Sequence, residues 1–542
     1  MGRPAWGCRS VRFHNLLREG KRLYPRSVRP LPSALLALGL LTAFPDVPTA
    51  AAAEIPVVQE APVLVAPALL RLADRLRRLD EDGLDPRAYG VPADALAEAD
   101  PEAWNAALLR AASLAVADLL HGRVRPPAAR PDLRRNTAGL PLAPLLLQLA
   151  SDPEPATVVD RAALAIADAV PLKAALAAAR ARVEAGGWPT VPAGTDTLEP
   201  GASDAVRVPA LRARLAVDDP RLAADTPENP AVYDPLLIAA VQRFQAEQAL
   251  QPDGRVGRMT FLALNRPAEA LVRQLRVALD MRRAAEAPTS QRRIEVNVAH
   301  QRLRVLERGR TLLDMPVIVG RPDRQTPMMR LRMTAVQMNP PWGVPERNAK
   351  DDLLPKFRRN ARAMAEKGFR VYTTVDGERV EVDPLGVDWS KVSRERFPYL
   401  VRQDAGALNA LGQIKFVMPN TEDIYMHDTP DRHLFARPER AFSSGCIRLE
   451  RPLDLFDAVI DGTAGWDRTR AAATLAGKTT AVVTLARPLP VRLHYTSAVV
   501  ENGEVRVRPD IYGLDDAYVR AMDAAIRRLP ADGEPARVAG VR

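Results

Sequence analysis

The spacing of the apolar residues changes near residue 290, and this change restricts the fold more than any other feature of the chain. Upstream, Leu69, Leu72, Leu76 and Leu79 recur at helical spacing, as do the apolar residues over 104–120, and Gly122 reads as a helix stop. Downstream, Ile294, Val296 and Val298 alternate, as do Leu303 and Val305, and an apolar run follows at 315–319. Residues 307–310 read as the hairpin turn between two such strands. One uniform architecture cannot bury both patterns, so the chain is multidomain α+β, with helices first and strands after them. At 542 residues it has room for two to four domains, and 49 prolines supply many joints between them.

The helical half divides again. Residues 54–200 are rich in Ala and Leu and read as an α-helical scaffold, in which His121 is a helix-end residue. The turn-rich stretch from Gly186-Gly187-Trp188-Pro189 to Pro200-Gly201 is a joint, after which 205–266 forms a smaller helical unit around the tight turn Pro252-Asp253-Gly254. A polar helix over 267–287 leads into the strand-rich region 290–525. That region is interrupted over 345–410 by a charged, partly helical insert containing a hairpin, and strands resume at 479–485, 491–495 and 505–508. A helix over 516–529 is expected to cover the strand domain, and 526–542 is expected to be a loose tail.

The first 53 residues run basic, then apolar, then small, the pattern of an export signal cleaved near Ala53. Left uncleaved, the same segment would anchor the chain to a membrane. The leader carries +6 of the formal +10, so a mature chain would hold +4 over nearly five hundred residues. That charge is no footprint for nucleic acid, although it suits an anionic polymer.

Only two cysteines are present, and Cys8 lies in the leader. An exported chain would keep Cys446 with no intramolecular partner, a thiol that is buried, paired with another chain or reactive. Its neighbours favour reactivity. Gly445 allows close approach of the backbone, and successive amide hydrogens after the tight Ser443-Ser444-Gly445 turn could bind an oxyanion. Arg448 could hold a carboxylate or favour the thiolate, and His427 could serve as general base. Spacing alone leaves open a buried cysteine and an unrelated histidine. No His/Cys/Asp cluster has metal-ligand spacing, and neither a phosphate-binding loop nor a Gly-x-Ser-x-Gly elbow occurs, so no metal and no cofactor is expected. His433 reads as a loop residue and His494 as a structural strand residue.

The words around Cys446 favour the reactive reading. Ile424-Tyr425-Met426-His427-Asp428 followed by Phe442-Ser443-Ser444-Gly445-Cys446-Ile447-Arg448-Leu449 closely resembles the core of the L,D-transpeptidases of bacterial wall synthesis, whose signature is a histidine, a gap and Ser/Thr-x-Gly-Cys-x-Arg. Many members have His before the Gly-Cys pair, where this chain has Ser444. The stretch from Gln242-Arg243-Phe244 through Asp253-Gly254-Arg255 to Thr260 resembles a small three-helix peptidoglycan-binding module.

The resemblance implies a mixed β-sandwich catalytic domain whose insert caps the cleft. It implies a Cys446 nucleophile with His427 as base, the latter oriented by a backbone carbonyl at Asp428. Gly445, Ser444, Arg448, Tyr425, Asp428 and Trp342 would line the oxyanion and substrate site. Peptidoglycan stem peptides would be donor and acceptor, in 3-3 cross-linking. Water or a D-amino acid as acceptor would make the same site an L,D-carboxypeptidase or an exchange enzyme, and loss of chemistry would leave a peptidoglycan-binding protein. A periplasmic monomer, wall-synthesis partners and acylation by carbapenems complete what the family suggests.

Overall fold

The computed structural model describes residues 66–124, 130, 132–248, 250–285 and 290–524. The expected leader with Cys8 and the expected tail lie outside the described residues.

The scaffold contains α1 (Pro67–Arg77), α2 (Asp94–Ala99), α3 (Pro101–His121), α4 (Leu142–Ser151), α5 (Ala156–Leu164) and α6 (Ala169–Glu184). Its central helix is α3, which starts where the Asp100 carboxylate accepts the Ala103 N–H at 2.9 Å, with Pro101 at the first helical position. It stops at Gly122, whose φ of 77° favours glycine. By length and composition α3 could cross a membrane. Here it packs within the scaffold, burying Trp104, Leu108, Ala112, Val116 and Leu119 in a core shared with α1 and α5.

A second small core belongs to α7 (Arg207–Ala216), α8 (Pro220–Ala223), α9 (Pro235–Glu247) and α10 (Arg258–Leu264), built on Val208, Leu211, Tyr233, Leu237, Val241 and Leu264. The buried Gln245 amide staples its central turn: Nε2 donates to Asp253, the Arg255 carbonyl and Thr260, and Oε1 accepts the Gly254 N–H at 2.9 Å. Helix α11 (Ala268–Arg282) then runs back against α6 and the scaffold.

The strand domain begins with β1 (Arg293–Asn297), β2 (Arg302–Glu307), β3 (Arg310–Gly320) and β4 (Met329–Met338). The insert follows as β5 (Trp342–Gly343), α12 (Glu346–Asn348), a π-helical turn Ala349–Leu353, α13 (Leu354–Glu366), β6 (Phe369–Val375), β7 (Glu378–Val382) and β8 (Leu400–Gln403). The main sheet resumes with β9 (Ile414–Val417), β10 (Met426–His427), β11 (Ala441–Ser443) and β12 (Ile447–Leu449). Helices α14 (Pro452–Val459) and α15 (Arg468–Ala476) precede β13 (Ala481–His494), the hairpin β14 (Ala498–Glu501) and β15 (Glu504–Val507), and α16 (Leu514–Ala524).

Nine strands form one sheet in the order β11-β3-β12-β10-β9-β4-β13-β1-β2, and β2 also pairs with β3. The sheet therefore curls round and closes on itself, so its two facing halves enclose a core that includes Val296, Val317, Phe416, Met426 and Ile447. The two strands expected over 479–495 are one strand, β13, with a register shift between Thr484 and Leu489 where Pro488 supplies no donor.

Helix α16 does not cover the strand domain as expected. It buries Tyr518, Val519 and Met522 in the scaffold core instead. Asp280 on α11 explains why: its buried carboxylate accepts Tyr518 Oη–H at 2.7 Å, Arg135 Nη2–H at 2.8 Å and the Arg123 N–H at 2.7 Å, joining three segments at one point. The insert has a core of its own around Leu354, Phe357, Phe369, Val371 and Trp389, with the Phe357 and Trp389 rings stacked at 4.3 Å. Its sheet, ordered β5-β8-β6-β7, starts at Trp342, slightly before the expected boundary.

Candidate active site

Strand register brings the distant words of the sequence together. β10 runs parallel to β12, with Met426 opposite Ile447 and His427 opposite Arg448, and antiparallel to β9, with His427 opposite Lys415. Side chains alternate along each strand, so Met426, Ile447 and Phe416 point into the core. Lys415, Tyr425, His427 and Arg448 take the other face, and Cys446 enters it from the turn that leads into β12. The Lys415 ammonium lies 4.0 Å from the Tyr425 ring, and the Tyr425 and His427 rings are 5.6 Å apart.

His427 is buried, with Nδ1 2.5 Å from the Asp428 carbonyl oxygen. That carbonyl can only accept, so Nδ1 carries the hydrogen and Nε2 keeps its lone pair. Burial, with the Arg448 and Lys415 cations, lowers the imidazole to about 3. His427 is thus a neutral base at ordinary pH. The Asp428 carboxylate, expected among the substrate groups, is occupied elsewhere: it accepts the Gln413 N–H at 2.9 Å and pairs with Arg432 at 3.0 Å.

Cys446 is a half-buried free thiol whose Sγ donates toward the Asp423 carbonyl at 3.6 Å. Burial pushes the thiol up, while hydrogen bonds from the Tyr425 amide and hydroxyl and the charges of Lys415 and Arg448 pull it down. Burial prevails. Arg448 therefore acts in the expected direction without making a resting thiolate, and it also pairs with Asp431 at 3.0 Å.

The turn before Cys446 is held by short local bonds and by a network from far along the chain. Ser443 Oγ donates to the Cys446 carbonyl at 2.6 Å and accepts the Gly445 N–H at 3.1 Å. That bond corrects one expectation, since the Gly445 N–H belongs to Ser443 and does not face an oxyanion. Gly445 sits at φ 118°, a conformation only glycine adopts readily, and its carbonyl accepts Thr326 Oγ1–H at 2.7 Å. Thr326 Oγ1 accepts the Gly320 N–H, while the Tyr512 hydroxyl accepts the Thr326 N–H at 3.1 Å and donates to the Gly320 carbonyl at 2.6 Å. Ser443 holds the turn, the part the sequence had given it, whereas no role for Thr326 or Tyr512 was read from the sequence.

Ser444 joins the turn to the cap. The buried Arg324 guanidinium donates to Ser444 Oγ at 3.1 Å and to Asp352 and Asp351 on the π-helical turn, each at 2.7 Å. Ser444 thus meets a side chain of its own protein where a substrate contact was expected. Trp342, at the root of the cap, has its indole N–H buried beside the Tyr425 hydroxyl without a properly aligned partner. Burial raises the Tyr425 phenol well above its ordinary value, leaving the hydroxyl protonated and able to donate to the Cys446 sulfur. His433 is an exposed residue of a 3-10 turn, and His494 is a strand residue whose imidazole burial holds well below its ordinary range. Among the described residues no group of His, Cys, Asp and Glu is arranged to hold a metal ion.

Three family models match this chain. Residues 291–470 match the L,D-transpeptidase catalytic domain, 61–176 a scaffold domain, and 213–264 a "Putative peptidoglycan binding domain". Over 240 residues the chain is 39% identical to a Haemophilus influenzae protein named "Putative L,D-transpeptidase", an alignment covering 44% of this chain and 48% of that protein. The chain thus spans about half the length of the curated relative it matches. Among solved structures, an L,D-transpeptidase from Mycobacterium smegmatis aligns over 38% of this chain and 58% of its own at 13% identity and a TM-score of 0.19. One from Stackebrandtia nassauensis aligns over 56% and 96%, again at 13% identity and a TM-score of 0.19. Overlaps that low carry no argument.

Proposed function

We propose that this chain, which carries an L,D-transpeptidase catalytic domain together with scaffold and peptidoglycan-binding-type domains, is an exported cysteine acyltransferase that cross-links wall peptides. The observation that carries this reading is the pairing of β10 with β12, which sets the neutral imidazole of His427 and the thiol of Cys446 on one face under the cap. Cys446 attacks the carbonyl of the third residue of a tetrapeptide stem as its proton passes to His427 Nε2. Asp428 fixes the required tautomer through its carbonyl.

The tetrahedral intermediate collapses, the C–N bond breaks, and terminal D-Ala leaves with the proton returned by His427. In this reading the Cys446 N–H and the Tyr425 hydroxyl serve as donors to the oxyanion, since the Gly445 N–H is engaged by Ser443. A side-chain amine of a second stem then attacks the thioester and regenerates the thiol, giving a 3-3 cross-link. Exclusion of water by the cap favours amine over water. In this reading the protein works in the periplasm, is acylated by carbapenems, and would act as a carboxypeptidase wherever water takes the place of the amine.

The test is intact-mass analysis after incubation with a disaccharide tetrapeptide and, separately, with a carbapenem, for wild type and Cys446→Ala. D-Ala release, cross-linked dimer and a drug adduct are expected from wild type only. A wild type that binds wall material but forms no adduct and turns nothing over would replace this reading with that of a binding protein.

A further inference from the structure

The functional face of the sheet carries a row of polar side chains, one from each of four adjacent strands. Register sets Arg448 of β12 opposite His427 of β10, His427 opposite Lys415 of β9, and Lys415 opposite Gln337 of β4. Adjacent strands stand about 4.8 Å apart, so each member of the row neighbours the next. Tyr425 precedes His427 by two residues and shares its face. Lys415 reaches diagonally toward it, with the ammonium 4.0 Å from the centroid of the Tyr425 ring. The proposed reaction uses Cys446, His427 and Tyr425 and gives Lys415 no part.

Lys415 is half-buried, and among the described residues its ammonium has neither a hydrogen bond nor an ion pair. The face of the Tyr425 ring attracts a cation but offers no acceptor in its place, so the N–H donors of Lys415 remain unfilled. The other cations of this face are engaged. Arg448, which the sequence suggests for a carboxylate, pairs with Asp431 at 3.0 Å, and Arg432 pairs with Asp428 at 3.0 Å. Burial lowers the Lys415 ammonium from its ordinary value, while Cys446 and, less strongly, the exposed Asp423 hold it up. Asp423 is outside ion-pair distance and open to solvent, which screens its effect on an incoming anion. A cation partly withdrawn from water beside the nucleophile, with no counterion of its own, is relieved by a bound anion.

We infer that Lys415 recognises the free α-carboxylate of the leaving D-Ala and so selects stems that end one residue beyond the scissile bond. This assignment rests on the reaction proposed above. In such a stem the carboxylate stands one residue past the carbonyl under attack, a span of at most about 3.6 Å. A cation in the row next to the nucleophile meets a charge held that close. An amidated end offers no charge there and leaves the ammonium as it was. Lys415 thus acts on which stem is accepted, whereas His427 and Cys446 act on the bond.

The test is a binding cycle between one side chain and one substrate group. The full chain carrying Cys446→Ala, which removes both turnover and the thiolate, is titrated with a disaccharide tetrapeptide ending in D-Ala and with the same peptide ending in the D-Ala carboxamide. The parent is expected to bind the acid about tenfold to a hundredfold more tightly than the amide, as a charge-assisted contact provides. Lys415→Met in that background is expected to bind both peptides as weakly as the parent binds the amide, and Lys415→Arg to regain most of the preference. A lysine with only a structural role would cost the acid and the amide alike, so equal losses overturn the assignment. A parent that does not prefer the acid overturns it too. A preference that survives in Lys415→Met but is lost in Arg448→Met would pass the carboxylate to Arg448. Failure of wild type to form a thioester, with an acid preference that depends on Lys415, would remove the proposed reaction and leave this recognition standing. Turnover by wild type without that preference would remove the role of Lys415 alone.

Discussion

At the scale of single residues, the reactive pair rests as thiol and neutral imidazole. Burial pushes Cys446 up and holds His427 at about 3. The thiolate is the nucleophile that attacks an alkylating agent, so the pH dependence of iodoacetamide labelling reads this directly. Labelling of Cys446 is expected to rise by about tenfold per pH unit through neutrality and beyond pH 9, with no inflection in the ordinary imidazole range near 6.5. A plateau already reached below pH 7 would mean a thiolate–imidazolium pair and would refute the neutral resting state. Cys446, His427 and Arg448 were legible in the sequence because the motif compresses their chemistry into short words. Thr326 and Tyr512 were not, because the bonds that tie them to Gly445 and Gly320 cross 119 and 192 residues.

Among the elements, the cap is the unit whose connection to the site can be tested. It is self-contained through the Phe357–Trp389 stack and is joined to the nucleophile turn by Arg324, which is buried between Asp351, Asp352 and Ser444. Arg324→Met removes the buried cation that Asp351 and Asp352 share and leaves them only the more exposed Arg394 at 3.1 Å and Arg347 and Arg321 at 3.7 Å, so the cap loses its tie to Ser444 and the two carboxylates turn to solvent. The expected outcome is a cap that opens, a turnover reduced by about tenfold to a hundredfold, and a larger fraction of thioester lost to hydrolysis. Arg324→Lys should recover part of the transfer. The ratio of cross-linked dimer to hydrolysed stem measures this, and an unchanged ratio in Arg324→Met would show that the contact has no part in closure. The insert itself was visible as an interruption of the strand pattern. Its latch was not, since the charged run Lys350-Asp351-Asp352 reads equally well as a solvated face. The amphipathic pattern of α16 revealed a helix, but not which core would receive it, because periodicity identifies an apolar face and leaves its partner open.

For the whole molecule, Asp280 is the point on which the scaffold, α11 and α16 converge. Its carboxylate is pushed up by burial but pulled down further by Arg135, Arg283, the Arg123 amide and the Tyr518 hydroxyl, and the net shift is downward. A depressed carboxyl contributes stability above its unfolded value, and that contribution is lost as the pH falls through the folded one. Asp280→Asn removes the charge while keeping the shape, so Arg135 and Arg283 lose their counterion. A loss of about 3 kcal/mol and an earlier thermal transition are expected at pH 7, with the gap between wild type and variant closing in acid. Thermal melts at pH 7 and pH 3 check both statements, and equal transitions at pH 7 would show that the junction is held by its apolar contacts alone.

The closed sheet has a consequence in time. β1 pairs in parallel with β13, Ile294 against Val491, so the ring cannot close until almost two hundred further residues are present. Contacts so far apart in sequence must be found by a search of the whole domain, and domains dominated by them fold slowly. β1 can take β2 as a neighbour at once, but its other side waits for nearly the entire strand domain.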